Sequence, residues 1–350
     1  MNRLLKVIIA VLAVWVLILS VQVNQLSNKQ SNNNGTTVVE NYVEGFSTDL
    51  TQISEKVQSS LVSVKSDGNQ STGVIYMQDG ETVYVVTNYH AIENGNIIQV
   101  MLDNFTSLQA EVVGYDERTD VAVLKVNCKF DVKPIKLGDS SLLKAGQYAV
   151  AFGNPLGIDY RGSLSFGIVS SNQRTINVHV NDQTYLVNMI QSDVTLNKGN
   201  SGGPLCNESG EMIGLNTFAV NADDAEDLSF SLPVNEMKLV VDQIIETGFS
   251  HKVNLGLKVS EVSRLQNYQK NNLNINLDVV EGLYVSGISV DFLGNYLGVK
   301  EGDIILQIND HPVNTVDEYI RSEYSIDQDI NVLILRQNEE ITLQGSLPND

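Results

Sequence analysis

The sequence predicts an all-β domain over most of its length, then a smaller α+β domain, behind an apolar N-terminal segment. Three observations predict this. Short runs rich in β-branched and aromatic residues recur between Gly, Asn and Asp turns from about residue 46 to 248, and many short strands with little helical periodicity make a barrel or a sandwich. One helical pattern at 234–247 closes that series. Beyond it, further strand patterns surround a second helical pattern at 316–324.

At 350 residues the chain has room for two cores, since domains commonly hold about 100–200 residues. Forty-two acidic against 22 basic residues give a formal net charge of -20. That balance excludes a nucleic-acid binder, which needs a basic face to displace counterions.

From Leu4 to Val23 an apolar run follows Arg3 and Lys6. It reaches the roughly 20 residues a membrane helix needs if Lys6 snorkels to the surface. A span and a secretion signal both fit, but Ser20-Val21-Gln22-Val23 is a poor cleavage site, so the segment 4–23 is expected to be an uncleaved anchor. Positive charge before the run and only Lys29 soon after it place the N-terminus in the cytoplasm and the rest outside the cell membrane. Residues 24–45, rich in Asn, Ser and Gln, bury little and are expected to be a flexible linker.

The strand patterns of the first domain, 46–249, fall at 61–65, 73–77, 83–87, 97–101, 109–115, 121–126, 148–152, 164–171, 185–191, 212–218 and 228–232. In the helix at 234–247, Met237, Val240, Val241, Ile244 and Ile245 share one face and Gly248 follows as C-cap. The second domain, 252–347, runs through Asn254-Leu255-Gly256-Leu257, the segments 282–288 and 297–309, a turn at 310–312, the helix, and strands at 330–336 and 341–347.

The chemistry concentrates in Gly199-Asn200-Ser201-Gly202-Gly203-Pro204-Leu205, one serine among glycines that can turn backbone N–H groups toward a single point. Acyl transfer needs such a nucleophile and such donors. The same letters fit the nucleophile elbow of α/β-hydrolase esterases, in which a helix follows the serine and the acid and histidine come later in the chain. Here a strand pattern follows, and the candidate partners lie upstream: His90 at the end of a β-branched run and Asp120 ahead of Val121-Ala122-Val123-Leu124. His, Asp, Ser is the chymotrypsin order. The other histidines, His179, His251 and His311, lack comparable flanks.

Together with Gly138-Asp139-Ser140, Ala151-Phe152-Gly153-Asn154-Pro155, Ser165-Phe166-Gly167-Ile168-Val169-Ser170, Ile190-Gln191-Ser192-Asp193 and Ser229-Phe230-Ser231-Leu232-Pro233, these segments resemble the HtrA (Deg) family of trypsin-like serine proteases with a PDZ domain. Lys198, where the family usually has proline, and Tyr89, where a small polar residue is common, depart from its pattern. The resemblance implies a chymotrypsin-like double barrel of two six-stranded barrels, with His90, Asp120 and Ser201 in the cleft between them, and a C-terminal α+β PDZ domain. It implies an oxyanion hole from Gly199, Asn200 and Ser201. Thr195 falls where trypsin has its acidic pocket floor, so cleavage after Lys or Arg is not expected. Leu196 and Leu228 resemble pocket-lining positions that suit small or medium apolar residues, and each fits a core role equally.

Leu255-Gly256-Leu257 is the candidate loop of free N–H groups for a peptide's C-terminal carboxylate, with an ordinary strand start as the alternative. The family also implies ATP-independent degradation of unfolded or misfolded exported proteins by a homotrimer or larger homo-oligomer. Segments 172–188, 196–200 and 219–227 would rest misaligned until a ligand favours the aligned state. The alternative function is a catalytically silent scaffold that binds peptide C-termini. No cofactor is expected. No metal is expected either, because Cys128 and Cys206 sit in no ligand pattern and no His-Glu-x-x-His helix occurs. The two cysteines read as buried thiols, with a bridge as the alternative.

Overall fold

The computed structural model describes residue 20 and residues 50–102, 105–154, 161–180, 183–197, 199–219 and 228–347. It forms two compact units, Met1–Gln52 and Ile53–Asp350. The expected anchor at 4–23 and linker at 24–45 lie, apart from Ser20, outside the described residues, among which no helix is long and apolar enough to cross a membrane.

Within the second unit, β1 (Leu61–Ser66), β2 (Asn69–Asp79), β3 (Thr82–Thr87), β4 (Ile98–Met101), β5 (Ser107–Asp116) and β6 (Val121–Asn127) close a barrel in the order β1-β2-β3-β6-β5-β4. Alternation along the strands sends Val62, Val64, Val83, Val85, Val100 and Leu124 into its interior. β1 turns into β2 through Asp67 and Gly68, both at positive φ, which suits a two-residue hairpin.

A second closed barrel has the order β10-β11-β12-β9-β8-β7, from β7 (Tyr148–Gly153), β8 (Ser163–Val180), β9 (Gln183–Ser192), β10 (Pro204–Cys206), β11 (Met212–Ala219) and β12 (Ser229–Pro233). One expectation is corrected here. The strand expected to end at residue 171 continues to Val180 and pairs with β9 from Val169 to Val180. Most of 172–188, the segment expected to rest misaligned, therefore belongs to a long hairpin; its polar run Ser171-Asn172-Gln173-Arg174 lies where the ladder shifts register. Most of 219–227 lies outside the described residues.

Helix α1 (Val234–Thr247) then buries Val234, Met237, Val240, Val241 and Ile244 and ends on Gly248 in the left-handed region. Each such side chain contributes about 1.5–3 kcal/mol relative to exposure. Cys128 and Cys206 are buried and free, which settles that alternative for thiols.

The remaining chain is an antiparallel sheet of order β13-β14-β15-β17-β18, with β16 added on β15. It comprises β13 (Leu257–Glu261), α2 (Asn267–Asn272), β14 (Leu283–Ile288), α3 (Leu293–Tyr296), β15 (Ile304–Ile308), β16 (His311–Pro312), α4 (Val316–Tyr324), β17 (Asp329–Arg336) and β18 (Glu339–Ser346). Helix α4 starts on a reciprocal cap in which Thr315 and Glu318 each hold the other's backbone N–H.

Candidate active site

Strand pairing brings the first two residues together. His90 sits in a single 3-10 turn, Tyr89–Ala91, just beyond β3, and Asp120 stands immediately before β6. Because Thr87 pairs with Ala122, the two ends are adjacent. The Asp120 carboxylate accepts from His90 Nδ1 at 2.7 Å and from the His90 backbone N–H at 2.9 Å. Its carbonyl accepts from the Tyr89 N–H at 3.1 Å and Asn88 Nδ2 at 2.8 Å. Asp120 has φ 55, an uncommon value for a residue with a side chain, and these contacts hold it there.

Ser201 arrives from the second barrel, in the turn before β10. Gly202, at φ 81, lies where a Cβ would come within 2.1 Å of the Thr72 carbonyl, so only glycine fits. The Ser201 hydroxyl donates to the Thr217 carbonyl on β11 at 2.5 Å, and the Thr217 hydroxyl donates to Asp120 Oδ2 at 2.8 Å. Ser201, Thr217, Asp120 and His90 thus form one continuous chain of hydrogen bonds across the two barrels. Thr217 is buried and was not singled out from the sequence. A Thr inside an apolar strand carries no signal of its own.

Thr72 on β2 was likewise missed. Its hydroxyl donates to the Gly199 carbonyl at 2.5 Å and its N–H to the Ser201 carbonyl at 3.1 Å, clamping the serine turn from the opposite barrel. The Asn200 N–H, which would join the oxyanion donors only after rearrangement, closes the turn onto the Asn197 carbonyl at 3.0 Å. The N–H groups of Gly199 and Ser201 meet no acceptor among the described residues. Lys198 lies outside the described residues, and Tyr89 stacks on Tyr115 with ring centroids 4.3 Å apart.

Of the expected pocket residues, Thr195 is exposed and its carbonyl accepts from the Ser165 hydroxyl at 2.9 Å. Leu196 packs against the core of the second barrel, and Leu228 is half-buried. Burial alone would lower the pKa of His90, but the hydrogen bond that its Nδ1–H donates to Asp120 and the charges of Asp120 and Glu93 outweigh it and hold the imidazole above its ordinary value. Among the described residues no group of His, Cys, Asp and Glu could hold a metal ion.

A double barrel of this topology, with a serine, a histidine and an aspartate joined across it, defines a trypsin-like serine endopeptidase. A family profile described as "Trypsin-like peptidase domain" matches residues 71–215. The chain is 34% identical over 281 residues to serine protease Do-like HtrB of Bacillus subtilis (strain 168), covering 79% of this chain and 61% of that protein. It is 30% identical over 360 residues to serine protease Do-like HtrA of Lactococcus lactis subsp. cremoris (strain MG1363), covering 93% and 88%. Among solved structures, HtrA-type protease AlgW with tripeptide matches at 25% identity and TM-score 0.61, over 86% of this chain and 98% of that one. The chain belongs to the HtrA (Do-like) family of serine proteases.

Proposed function

We propose that the chain is an ATP-independent endopeptidase for misfolded or exported proteins, with Ser201 as nucleophile, His90 as base and Asp120 as the residue that orients the imidazole. The observation that carries this reading is the hydrogen-bond chain from Ser201 through Thr217 and Asp120 to His90. In the reaction the Ser201 hydroxyl leaves the Thr217 carbonyl for His90 Nε2. Its oxygen attacks the scissile carbonyl while the imidazole takes the proton. The carbonyl oxygen becomes an oxyanion held by the N–H groups of Gly199 and Ser201. Collapse of that intermediate breaks the C–N bond, His90 passes its proton to the leaving amine, and an acyl-enzyme remains. Water, deprotonated by His90, then releases the acid and restores Ser201.

Asp120 accepts the Nδ1 proton and so fixes the tautomer whose Nε2 is free to act as base. Thr195 in place of an acidic residue, with Leu196 and Leu228 at positions that resemble the family's pocket lining, supports cleavage after small or medium apolar residues. The C-terminal sheet with α4 is read as a PDZ-type domain that feeds or regulates the protease through peptide C-termini. The apolar segment 4–23 would anchor the protein in the cell membrane with both domains outside, and a homotrimer is the expected assembly.

The order of the three residues and the strand that follows Ser201 stand against the esterase alternative. The intact constellation stands against a silent scaffold. Digestion of labelled casein by the full chain and by Ser201→Ala tests the reading. The wild type should cut it and the variant should not; equal digestion by both would overturn the assignment.

A further inference from the structure

The loop expected to receive a peptide's carboxylate already holds a carboxylate of its own. The Leu255 N–H donates to Glu323 Oε1 at 2.9 Å, and the Gly256 N–H donates to Asn254 Oδ1 at 2.7 Å. The Tyr319 hydroxyl also donates to Glu323 Oε1, at 2.8 Å. The expectation of free donors at Leu255-Gly256-Leu257 is therefore corrected for two of the three: the Leu255 and Gly256 N–H groups are occupied from within the chain.

Glu323 and Tyr319 lie one turn apart on α4 and both are buried against β13. The Val253 N–H donates to the Glu323 carbonyl at 3.0 Å, fixing the end of the helix to the same segment. Lys252 Nζ stands 3.4 Å from Glu323 Oε2 and 2.6 Å from Glu236 Oε1 on α1, with the three side chains 6% exposed or less. Arg118, paired with Asp116, donates to the Lys252 carbonyl at 2.7 Å. The loop is thus tied through Lys252 to the strand end that leads into Asp120.

We propose that Glu323 is an internal ligand of the Leu255–Leu257 loop, which closes the C-terminal domain to peptide C-termini until α4 moves away from β13. This rests on the PDZ-type reading of that domain. A peptide carboxylate needs the same N–H donors and carries the same charge as Glu323, so the two exclude one another. Exchange substitutes one carboxylate for the other beside Lys252, so the ammonium keeps a partner throughout. Displacing Glu323 also breaks the Val253 contact and loosens α4 from Lys252, whose carbonyl holds Arg118. Peptide entry is in this way felt in the protease barrel.

The test uses the full chain and a fluorescein-labelled decapeptide ending in Ala-Ala-Val, with a free carboxylate or as its amide, read by anisotropy. Glu323→Ala should bind the free acid about tenfold or more tightly than wild type, since a charge-assisted competitor is gone. Glu323→Gln, which keeps size and an acceptor, should fall between, and Tyr319→Phe should give a smaller gain by removing the hydrogen bond that holds Glu323 Oε1. The amide should gain nothing. In the wild type without peptide, the Leu255 and Gly256 amides should be protected from hydrogen exchange, a readout that stands whatever Glu323→Ala does to folding. Equal affinity in wild type and both Glu323 variants, or fast exchange at Leu255, would overturn the internal ligand while leaving the PDZ-type reading intact. Binding by none of them would overturn both, and Ser201-dependent casein cleavage would still stand apart from that failure.

Discussion

Replacing Thr217 with valine removes one hydroxyl from the site and leaves the branching of β11 unchanged. The lost contact is the 2.8 Å hydrogen bond to Asp120 Oδ2, made by a residue that is 1% exposed. Hydrogen bonds to charged groups contribute about 1.5–3 kcal/mol net, so complete loss in the transition state would lower kcat/KM by roughly 10- to 150-fold. Asp120 keeps both contacts from His90 and two more at its carbonyl. The reduction is therefore expected near the lower end, about tenfold, mainly in kcat. The Thr217 carbonyl that receives the Ser201 hydroxyl is unaffected, and Thr217→Ser should recover most of the rate. The assay is cleavage of a chromogenic peptide by enzyme whose active sites have been titrated, with a thermal melt to confirm folding. A Thr217→Val enzyme within about twofold of wild type, or a Thr217→Ser enzyme no better than it, would refute the role of this hydroxyl in positioning Asp120.

Activity needs neutral His90, whose pKa lies above its ordinary 6.5, so kcat/KM should fall as pH drops through a value above 6.5, and a profile flat from pH 8 to pH 5 would count against His90 as base. The same raised pKa means that the His90–Asp120 pair stabilises the fold fully below 6.5, and that this contribution is lost as pH rises through the folded-state value; the stability change of His90→Ala should shrink across that window in denaturant titrations. Lys252 is kept charged by Glu236 and Glu323 although burial opposes it. Lys252→Met leaves two buried carboxylates without their cation and should destabilise the chain by about 3–5 kcal/mol, measured by urea unfolding; a loss below about 1 kcal/mol would show that the network contributes little.

Much of the fold is legible in the sequence because most barrel strands carry their own alternation, and because Gly248 marks a helix end by dihedral need. The arm of the β8–β9 hairpin was not legible. Its residues alternate weakly, since neither face of the arm is buried, and its polar start resembles a turn. Strand β10 escaped as well, because three residues beginning with proline give no period to read. At the site, His90, Asp120 and Ser201 were legible from residue type and flanks. Thr72 and Thr217 were not, because their roles come from packing one barrel's strand against the other's turn, a relation that no local pattern encodes. Glu323 was hidden for the same reason: it lies 68 residues from the Leu255 N–H it occupies.

The central claim, that Ser201 is the activated nucleophile, is tested most directly by reacting the full chain with a fluorophosphonate probe and mapping the modified residue by mass spectrometry. A single adduct on Ser201 is expected, absent in Ser201→Ala and strongly slowed in His90→Ala, which retains the serine but lacks the base. An adduct on another residue, or labelling of Ser201 at the same rate without His90, would contradict it.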